Sequence, residues 1–462
     1  MNPTRVIELP EPREPSHRPT TEFHARLFVA VFAAVVFAGT LLLMLPWVTR
    51  SGDSTAPVDA LFTAMSALSV TGLVTLDPVT HWNWFGQLII LVLIQIGGLG
   101  FMVGASLVLG ALTRGSGPLR HQILISDNIP TLTLREAVSM ARRIARFTFI
   151  VEAVGAALLT LYFLQEREPL DALWHGIFHS VSAFCNAGFD LQGNFESFTV
   201  VHGALYLNMV LIVLIQAGSL SYLAFHDIGE NRKWNRLSGN TRLILTFNAV
   251  LIAIGMTLFM AAEWNGAMGD TDTAAKPLQA LFQSVSARTA GFATADFSTV
   301  SSVTGYAWLA LMFIGGASAS TAGGVKLATV AVILIAVLSE VRGKSHPQAF
   351  RRRIPIPVIL QAMTVVTLFV LIYFVMTLAL IVAEQRYGQA PSVSAMLFEV
   401  MSAQATVGLS TGITPELSTP GRCVIILTMF VGRLGPLTVA YALARRRQPA
   451  NYRFPVMRVH IG

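Results

Sequence analysis

The sequence predicts an all-α polytopic membrane protein, built from four helix–hairpin–helix repeats that run in the same direction. Hydrophobic residues make up 53% and charged residues only 12% of the 462 residues. Several apolar runs reach the ~20 residues that a spanning helix needs. Four shorter apolar segments, each ending in a glycine, lie between such runs. Basic residues cluster between the repeats, as they do in the cytoplasmic loops of membrane proteins.

In chain order, the repeats follow a proline-rich first segment that predicts a disordered tail and contains no cleavable signal peptide. The predicted organisation is a cytoplasmic tail (1–26), repeat 1 (27–114), a basic loop with repeat 2 (115–225), repeat 3 (226–340), a basic loop with repeat 4 (341–445) and a cytoplasmic tail (446–462). The expected spanning segments are Leu27 to Val48, Phe85 to Ala111, Ile144 to Leu164 after an amphipathic piece at Leu134 to Arg146, Val201 to Phe225, Thr241 to Ala262, Ser302 to Leu338, Val358 to Ala383 and Cys423 to Leu443. The short hairpin helices are Asp59 to Leu68, Leu170 to Phe184, Pro277 to Ala287 and Pro391 to Ala403.

The hairpins share an aromatic residue near the start, a Ser-Ala pair near the end and then a glycine. They read DALFTAMSALSVTGL, DALWHGIFHSVSAFCNAGF, LQALFQSVSARTAGF and MLFEVMSAQATVGL, with glycines at Gly72, Gly188, Gly291 and Gly408. The third copy is one residue shorter, so the copies are aligned backwards from the glycine. One such glycine also fits a helix end or a close helix crossing. Four copies at similar spacing favour a repeated unit.

Re-entrant backbone at membrane depth must be buried in protein or line a water-filled cavity, where its carbonyl groups can replace the water shell of an ion. Parallel repeats around one axis therefore predict four helix–pore-loop–helix units around one central ion pore. The candidate filter residues are Ser69, Val70, Thr71 and Gly72, Cys185, Asn186, Ala187 and Gly188, Arg288, Thr289, Ala290 and Gly291, and Ala405, Thr406, Val407 and Gly408. Carbonyl rings favour K⁺. Apart from Asp59 and Asp171 at the starts of their helices, Glu399 is the only acid within a pore helix, which argues against a divalent-cation filter.

The third return segment contains ten consecutive small residues, which are poor helix formers and predict a break at membrane depth. They are Gly315, Gly316, Ala317, Ser318, Ala319, Ser320, Thr321, Ala322, Gly323 and Gly324. The alternative is close helix packing through small residues, which usually uses isolated ones. The predicted break must line a cavity or lie within protein.

Three basic residues are expected at membrane depth, where a charge normally faces a cavity or a partner: Arg288, Lys326 and Arg433. Arg433, within the VGRLGPLT stretch, predicts a positive post below the filter that repels cations, and a buried pair with Glu399 is the alternative. Lys326 follows the small-residue run and either faces the pore or snorkels to the cytoplasm.

The net charge of +7 reflects the orientation of the chain in the membrane rather than nucleic-acid binding. Most basic residues lie in the tails and in the loops between repeats, which are all predicted to be on the cytoplasmic side. The basic segments are Arg5 to Arg26, Arg114 to Arg146, Arg232 to Arg242, Arg342 to Arg353 and Arg445 to Arg458. This pattern predicts that both termini are cytoplasmic. The two cysteines, Cys185 and Cys423, indicate no disulfide framework.

Two other classes of protein compete with the pore. His175 and His179 are spaced i,i+4 and could face one metal ion in an enzyme, but no third ligand is evident and packing histidines are favoured. A secondary carrier coupled to Na⁺ or H⁺ would need ionisable residues along its pathway. Only Arg433, Glu399 and Lys326 are candidates.

The four hairpins, the GGASASTAGGVK segment and the VGRLGPLT stretch closely resemble the Trk/Ktr/HKT superfamily of potassium transporters, and the bacterial KtrB type in particular. The resemblance runs from Leu27 onward. It implies that the four glycines are the filter glycines, that 315–324 is an intramembrane gate loop, and that Arg433 is the arginine beneath the filter. Gly72, rather than serine, at the first filter position implies a preference for K⁺ over Na⁺.

The resemblance also implies where this chain lies and what it assembles with. It implies a subunit in the bacterial plasma membrane, in contact with membrane lipid. It implies a homodimer in which each subunit has its own pore, on a cytosolic ring of KtrA-type regulatory subunits that bind nucleotides. It leaves a Na⁺ requirement open. This chain itself carries no dinucleotide fingerprint, because the GGLG at Gly97 to Gly100 lies inside a spanning segment. No nucleotide is expected to bind this chain.

Overall fold

The computed structural model describes residues 20–113, 134–344, 346–387 and 391–435. Helices dominate this part of the chain. They are α1 (Thr20–Leu43), α2 (Pro57–Ser69), α3 (Trp84–Thr113), α4 (Leu134–Phe163), α5 (Pro169–Cys185), α6 (Leu205–Ser219), α7 (Tyr222–Asn231), α8 (Gly239–Glu263), α9 (Lys276–Ser286), α10 (Ser302–Phe313), α11 (Leu327–Val341), α12 (Ile356–Tyr387), α13 (Val393–Ala405) and α14 (Thr419–Leu434). Two short strands, β1 (Gln348–Ala349) and β2 (Arg352–Arg353), form an antiparallel hairpin in which Gln348 pairs with Arg353.

The helices fall into four consecutive units: α1–α3, α4–α7, α8–α11 and α12–α14. Each unit contains one short helix (α2, α5, α9 or α13) of 11 to 17 residues, below the ~20 that cross a bilayer. A helix that follows the short helix in each unit packs against the short helix of the next unit: α3 against α5, α6 against α9, α10 against α13, and α14 against α2. The last contact joins unit 4 to unit 1, so the units form a closed ring with the short helices inside.

Close backbone contacts hold α3, α6 and α14 against the short helices of their own units. Within lipid, helices associate through close packing of small residues rather than through the hydrophobic effect. A glycine on each of these helices lies so close to a short-helix carbonyl oxygen that a Cβ would overlap it. The pairs are Gly97 with Leu68, Gly218 with Phe184 and Gly432 with Gln404. These glycines let the helices approach to backbone contact.

The short helices start and stop through local signals. Proline occupies the first turn of α2, α5 and α9, where its missing N–H costs no intrahelical hydrogen bond. Ser392 caps α13 by accepting the N–H of Ala395. At the other end, α2, α5 and α13 finish with a left-handed residue: Val70, Asn186 and Thr406, respectively.

Two predicted helices differ in their limits from the structure. The first spanning helix ends at Leu43 rather than Val48, because Pro46 cannot continue it and starts a separate 3₁₀ turn. The amphipathic piece from Leu134 to Arg146 and the helix expected from Ile144 form one helix, α4. Residues 20–26, expected to belong to a disordered tail, form the start of α1 instead. Residues 1–19, the loop 114–133, residues 436–443 of the last expected helix and the second tail lie outside the described residues.

The return segment of the second unit was predicted as one helix, Val201 to Phe225, and this prediction was wrong. The structure divides it into α6 and α7, which meet at an angle of 96°. Ser221 accounts for the second start, since its hydroxyl accepts the N–H of Leu223 as an N-cap. The third return segment is also divided, into α10 and α11, and the small-residue run 315–324 lies between them.

By length and composition, three helices of the described part can cross a membrane alone, and a fourth span results if α6 and α7 count as one. The three are Ser139–Phe163, Gly239–Glu263 and Ile356–Tyr387. Shorter apolar stretches include Val29–Leu43, Trp84–Gly100 and Leu327–Val341.

Candidate functional site

The four predicted filter glycines lie next to one another around one axis. Each has a positive φ, between +69° and +96°, and each lies against the backbone of the next unit. A Cβ added to Gly72 would lie 2.5 Å from the Ala187 carbonyl oxygen, and a Cβ added to Gly188 would lie 2.9 Å from Gly291 Cα. A Cβ added to Gly291 would lie 2.5 Å from the Val407 carbonyl oxygen, and a Cβ added to Gly408 would overlap the Thr71 carbonyl oxygen. The cycle returns to Gly72. Only glycine fits these positions, for reasons of both conformation and space.

The backbone before each glycine also repeats its conformation. The residue two positions earlier is left-handed in every unit: Val70 (φ 56°), Asn186 (58°), Thr289 (73°) and Thr406 (51°). Left-handed backbone is uncommon for β-branched residues and costs of order 1–3 kcal/mol per residue, so it persists only where the surroundings enforce it. Such strain, repeated at four equivalent positions, is typical of functional segments.

A serine on each short helix fixes the backbone at its glycine. These serines belong to the recurring Ser-Ala pairs of the sequence, to which no role was assigned. The four bonds are Gly72 N–H to Ser66 Oγ (3.1 Å), Gly408 N–H to Ser402 Oγ (3.0 Å), Ser182 Oγ–H to the Phe189 carbonyl (2.6 Å) and Ser286 Oγ–H to the Phe292 carbonyl. The recurring serine was the sequence signal for these contacts.

An open cavity of about 540 Å³ lies directly above the four glycines, all of which line it. Its lining includes five carboxylates and, among the described residues, no lysine or arginine. The acids are Asp77, Asp190, Glu196, Asp296 and Glu416. Asp77 also links two units at the cavity, because its carboxylate accepts the N–H of Phe195 from the second unit (2.9 Å). A negative cavity of this kind concentrates cations and repels anions.

The small-residue segment 315–324 does not line this cavity, and it contacts two of the predicted filter stretches at residues that precede their glycines. Thr321 is its main anchor: its hydroxyl lies 3.2 Å from the Phe184 carbonyl oxygen and donates to the Asn186 amide oxygen (3.0 Å), which also accepts the N–H of Ser219. Its N–H donates to the Gly218 carbonyl (3.2 Å). Gly323 lies against the Ala405 carbonyl and Thr406 with no room for a side chain. The segment is therefore attached to the ends of α5 and α13.

Arg433 lies beside this segment, almost fully buried. Its Nη1 donates to the Thr321 carbonyl (2.7 Å) and its Nη2 to the Gly97 carbonyl (3.0 Å). The alternative pairing with Glu399 is wrong, because the Glu399 carboxylate accepts hydrogen bonds from Ser410, Thr411 and Thr414 instead. Lys326 closes the end of the segment, with its Nζ 2.6 Å from the Ala322 carbonyl.

The comparison with protein-family models decides what kind of protein this geometry belongs to. The family model described as "TrkH: Cation transport protein" matches residues 14–453. This chain belongs to the TrkH family. TrkH-family proteins are cation transporters of the membrane rather than enzymes.

Curated relatives of this TrkH-family chain match over nearly its whole length. The "Ktr system potassium uptake protein B" of Bacillus subtilis is 38% identical over 434 residues, which cover 93% of this chain and 95% of the relative. The "Potassium/sodium uptake protein NtpJ" of Enterococcus hirae is 36% identical over 442 residues, covering 95% and 97%. The crystal structure of the potassium transporter TrkH from Vibrio parahaemolyticus has the same fold, with a TM-score of 0.73, 20% identity and coverage of 93% of this chain and 86% of that one.

Two predicted filter residues direct their side chains away from the glycine ring, so only their backbone can contribute to it. Cys185 Sγ lies 3.8 Å from Glu152 Oε1 on α4. Arg288 Nη1 donates to Asn248 Oδ1 on α8 (2.6 Å), and both residues are buried.

His175 and His179, the candidate metal pair, pack inside the second unit. His179 has no lone pair left for a metal, because its Nδ1 bonds to the His175 carbonyl (2.8 Å) and its Nε2 accepts the Leu191 N–H (3.0 Å). Among the described residues, no cluster of three or more His, Cys, Asp or Glu side chains could hold a metal ion.

Proposed function

We propose that this chain is the ion-translocating membrane subunit of a K⁺ uptake system. Membership of a cation transport family and the potassium uptake names of its relatives support the class of substrate. The observation that carries the proposal is the ring of Gly72, Gly188, Gly291 and Gly408, in which backbone from four units meets at one axis.

In this proposal, K⁺ binds to backbone carbonyl oxygens of the four filter stretches. The preceding carbonyls of Thr71, Ala187, Ala290 and Val407 each lie against a glycine of the neighbouring unit, so the ring is compact. A ring of carbonyl dipoles replaces the water shell of K⁺ without a charged side chain. The acidic cavity above the ring supplies cations to it and disfavours anions.

The segment 315–324 acts as the gate. It lies under the ring and is attached to it through Thr321, and Arg433 holds it through the Thr321 carbonyl. Flux requires the segment to leave this position, which breaks a small set of hydrogen bonds rather than unfolding a helix. The charge of Arg433 adds an electrostatic barrier beneath the ring.

We propose control of the gate by a cytosolic KtrA-type ring that binds the regulatory nucleotides, since the relatives are named as parts of a Ktr system. This chain forms a homodimer with one pore per subunit, crosses the bacterial plasma membrane several times and has both termini in the cytoplasm. A Na⁺ requirement is included in the proposal because one relative is named a potassium/sodium uptake protein.

The test uses cells that lack their own K⁺ uptake and express the full chain with or without a cytosolic nucleotide-binding partner. The expected result is K⁺ influx that depends on the partner and that excess Na⁺ does not replace. Equal Na⁺ influx would contradict the filter. Influx of K⁺ in fixed stoichiometry with Na⁺ or H⁺ would replace the pore with a secondary carrier.

A further inference from the structure

Three of the four short helices carry, at an equivalent position, a buried polar side chain that reaches the loop after the filter stretch. His179 on α5 and Glu399 on α13 each lie nine residues before their glycine, and Gln283 on α9 lies eight before its glycine in the unit that is one residue shorter. All three are fully buried. An imidazole, an amide and a carboxylate have no charge in common, but each contains a hydrogen-bond acceptor.

Each acceptor binds the same backbone group in its own unit: the N–H of the third residue after the glycine. His179 Nε2 accepts the N–H of Leu191 (3.0 Å), and Glu399 Oε1 accepts the N–H of Thr411 (2.9 Å). The Gln283 amide oxygen, facing the loop, accepts the N–H of Thr294 (2.5 Å). The hydrogen bond closes a loop that contains the whole filter stretch.

Further contacts prevent these acceptors from turning away. His179 Nδ1 bonds to the His175 carbonyl, which leaves Nε2 as the acceptor of a neutral imidazole. The Gln283 oxygen also accepts the N–H of Ala295 (3.0 Å); in the opposite orientation, its NH₂ group would face these donors. Glu399 is held by hydroxyl groups, with Oε2 accepting from Thr414 (2.9 Å).

The first unit lacks this bond. Thr63 and Thr75 occupy the equivalent positions, and their buried hydroxyls have no hydrogen-bond partner in the described part of the chain. The outer loop of this unit is held elsewhere: Asp77 Oδ1 accepts the N–H groups of Val79 and Thr80. Three of the four loops are therefore bound to their short helix by this hydrogen bond. The loop of the first unit is not, so it serves as an internal control.

We propose that His179, Gln283 and Glu399 are positioning residues that set K⁺ discrimination. Each clamps the loop after the glycine of its own unit to the short helix of that unit, in three of the four units. The inference rests on the proposed filter. A carbonyl ring discriminates between K⁺ and Na⁺ only while its oxygens cannot collapse onto the smaller ion or spread apart. The clamp restrains both movements, because it ties the loop beyond the glycine to a rigid helix. The clamp requires an acceptor and not a charge.

The test measures K⁺ and Na⁺ influx in cells that lack their own K⁺ uptake and express the full chain with its cytosolic partner, normalised to the amount of protein in the membrane. Q283L and E399L remove the acceptor and are expected to lower the K⁺/Na⁺ influx ratio about tenfold, because each leaves the loop N–H without its side-chain acceptor. E399Q keeps an acceptor and is expected to recover most of that ratio. T63V, in the unclamped unit, is expected to leave it unchanged.

Two results would overturn the clamp: an unchanged ratio in both leucine variants, or the same loss in E399Q as in E399L, which would assign the effect to charge. G291S in the same assay separates this failure from failure of the filter. If G291S lowers the ratio while the leucine variants do not, the filter stands without the clamp. If G291S also leaves the ratio unchanged, the filter itself fails.

Amide hydrogen exchange of the purified full chain in detergent tests the same bonds without any variant. The amides of Leu191, Thr294 and Thr411 are expected to exchange roughly tenfold more slowly than that of Thr75. Equal exchange in all four loops would overturn the clamp even if a leucine variant fails to reach the membrane.

Discussion

Replacing Gly72 with serine tests whether the glycine ring selects the ion. The substitution adds a Cβ that would lie 2.5 Å from the Ala187 carbonyl oxygen and 3.0 Å from Gly188 Cα. Because both neighbours are backbone atoms of the second filter stretch, neither can rotate away. One quarter of the ring must move to accept the new side chain.

The size of this movement follows from the structure. Ordinary Cβ contacts begin near 3.4 Å, so the Ala187 oxygen must recede by about 0.9 Å. A left-handed φ adds ~1–2 kcal/mol of strain for any residue other than glycine. We expect the K⁺/Na⁺ influx ratio to fall about tenfold, which equals ~1.4 kcal/mol of discrimination.

Gly52→Ser is the matched control, since Gly52 also has a positive φ (+79°) but no atom within 4 Å of its added Cβ. It imposes similar backbone strain outside the ring. Both variants are compared with the native chain for K⁺ influx in competition with Na⁺, at equal amounts of protein in the membrane. An unchanged ratio in Gly72→Ser, or an equal fall in Gly52→Ser, would refute the assignment of selectivity to the ring.

Three further changes test the gate and the packing. Arg433→Gln removes a charge and the bond to the Thr321 carbonyl, so K⁺ influx should rise severalfold with little loss of folded protein; an unchanged rate would contradict the electrostatic role. Deleting 317–322 should raise K⁺ influx and abolish its dependence on the partner, whereas retained dependence would show that the segment is not the gate. Asp59→Asn breaks a partly buried ion pair with Arg422 (2.7 Å) and should lower the free energy of unfolding by about 1 kcal/mol. The expected result is a lower melting temperature in detergent with an unchanged K⁺/Na⁺ influx ratio, and a changed ratio would link the ion pair to the filter.

Much of the helical order could be predicted from the sequence, because apolar runs and glycine-terminated hairpins recur along the chain. The limits of the short helices agree with the structure to within about two residues, as Pro169 and Cys185 illustrate for a helix expected from Leu170 to Phe184. Proline in the first turn of α2, α5 and α9 and the serine N-cap of α13 are local signals. They do not depend on tertiary contacts.

The bend between α6 and α7 shows where this reasoning fails. Val201 to Phe225 has no proline, and its apolar content alone favours one span. The break depends on Ser219, whose carbonyl accepts the N–H of Ala317 in another unit, and on Ser221 as the N-cap of α7. Ser221 was a readable signal, but the contact with Ala317 was not, because it joins residues about 100 positions apart.

The positions of the candidate filter stretches were proposed from the glycine recurrence, whereas the side chains that support them were largely missed. His179, Gln283 and Glu399 belong to different residue classes, so no repeated letter indicates their common role. Their equivalence depends on the acceptor atom and on the loop amide that each side chain reaches. Both become visible only when the backbone is folded.

Locating the ion within the protein would test the central claim most directly. Crystals of the full chain grown with Rb⁺ in place of K⁺ would show the ion by its anomalous scattering. The account predicts Rb⁺ on the axis between Gly72, Gly188, Gly291 and Gly408, in contact with the carbonyl oxygens of these stretches. Anomalous signal confined to other sites, with none on this axis, would contradict it.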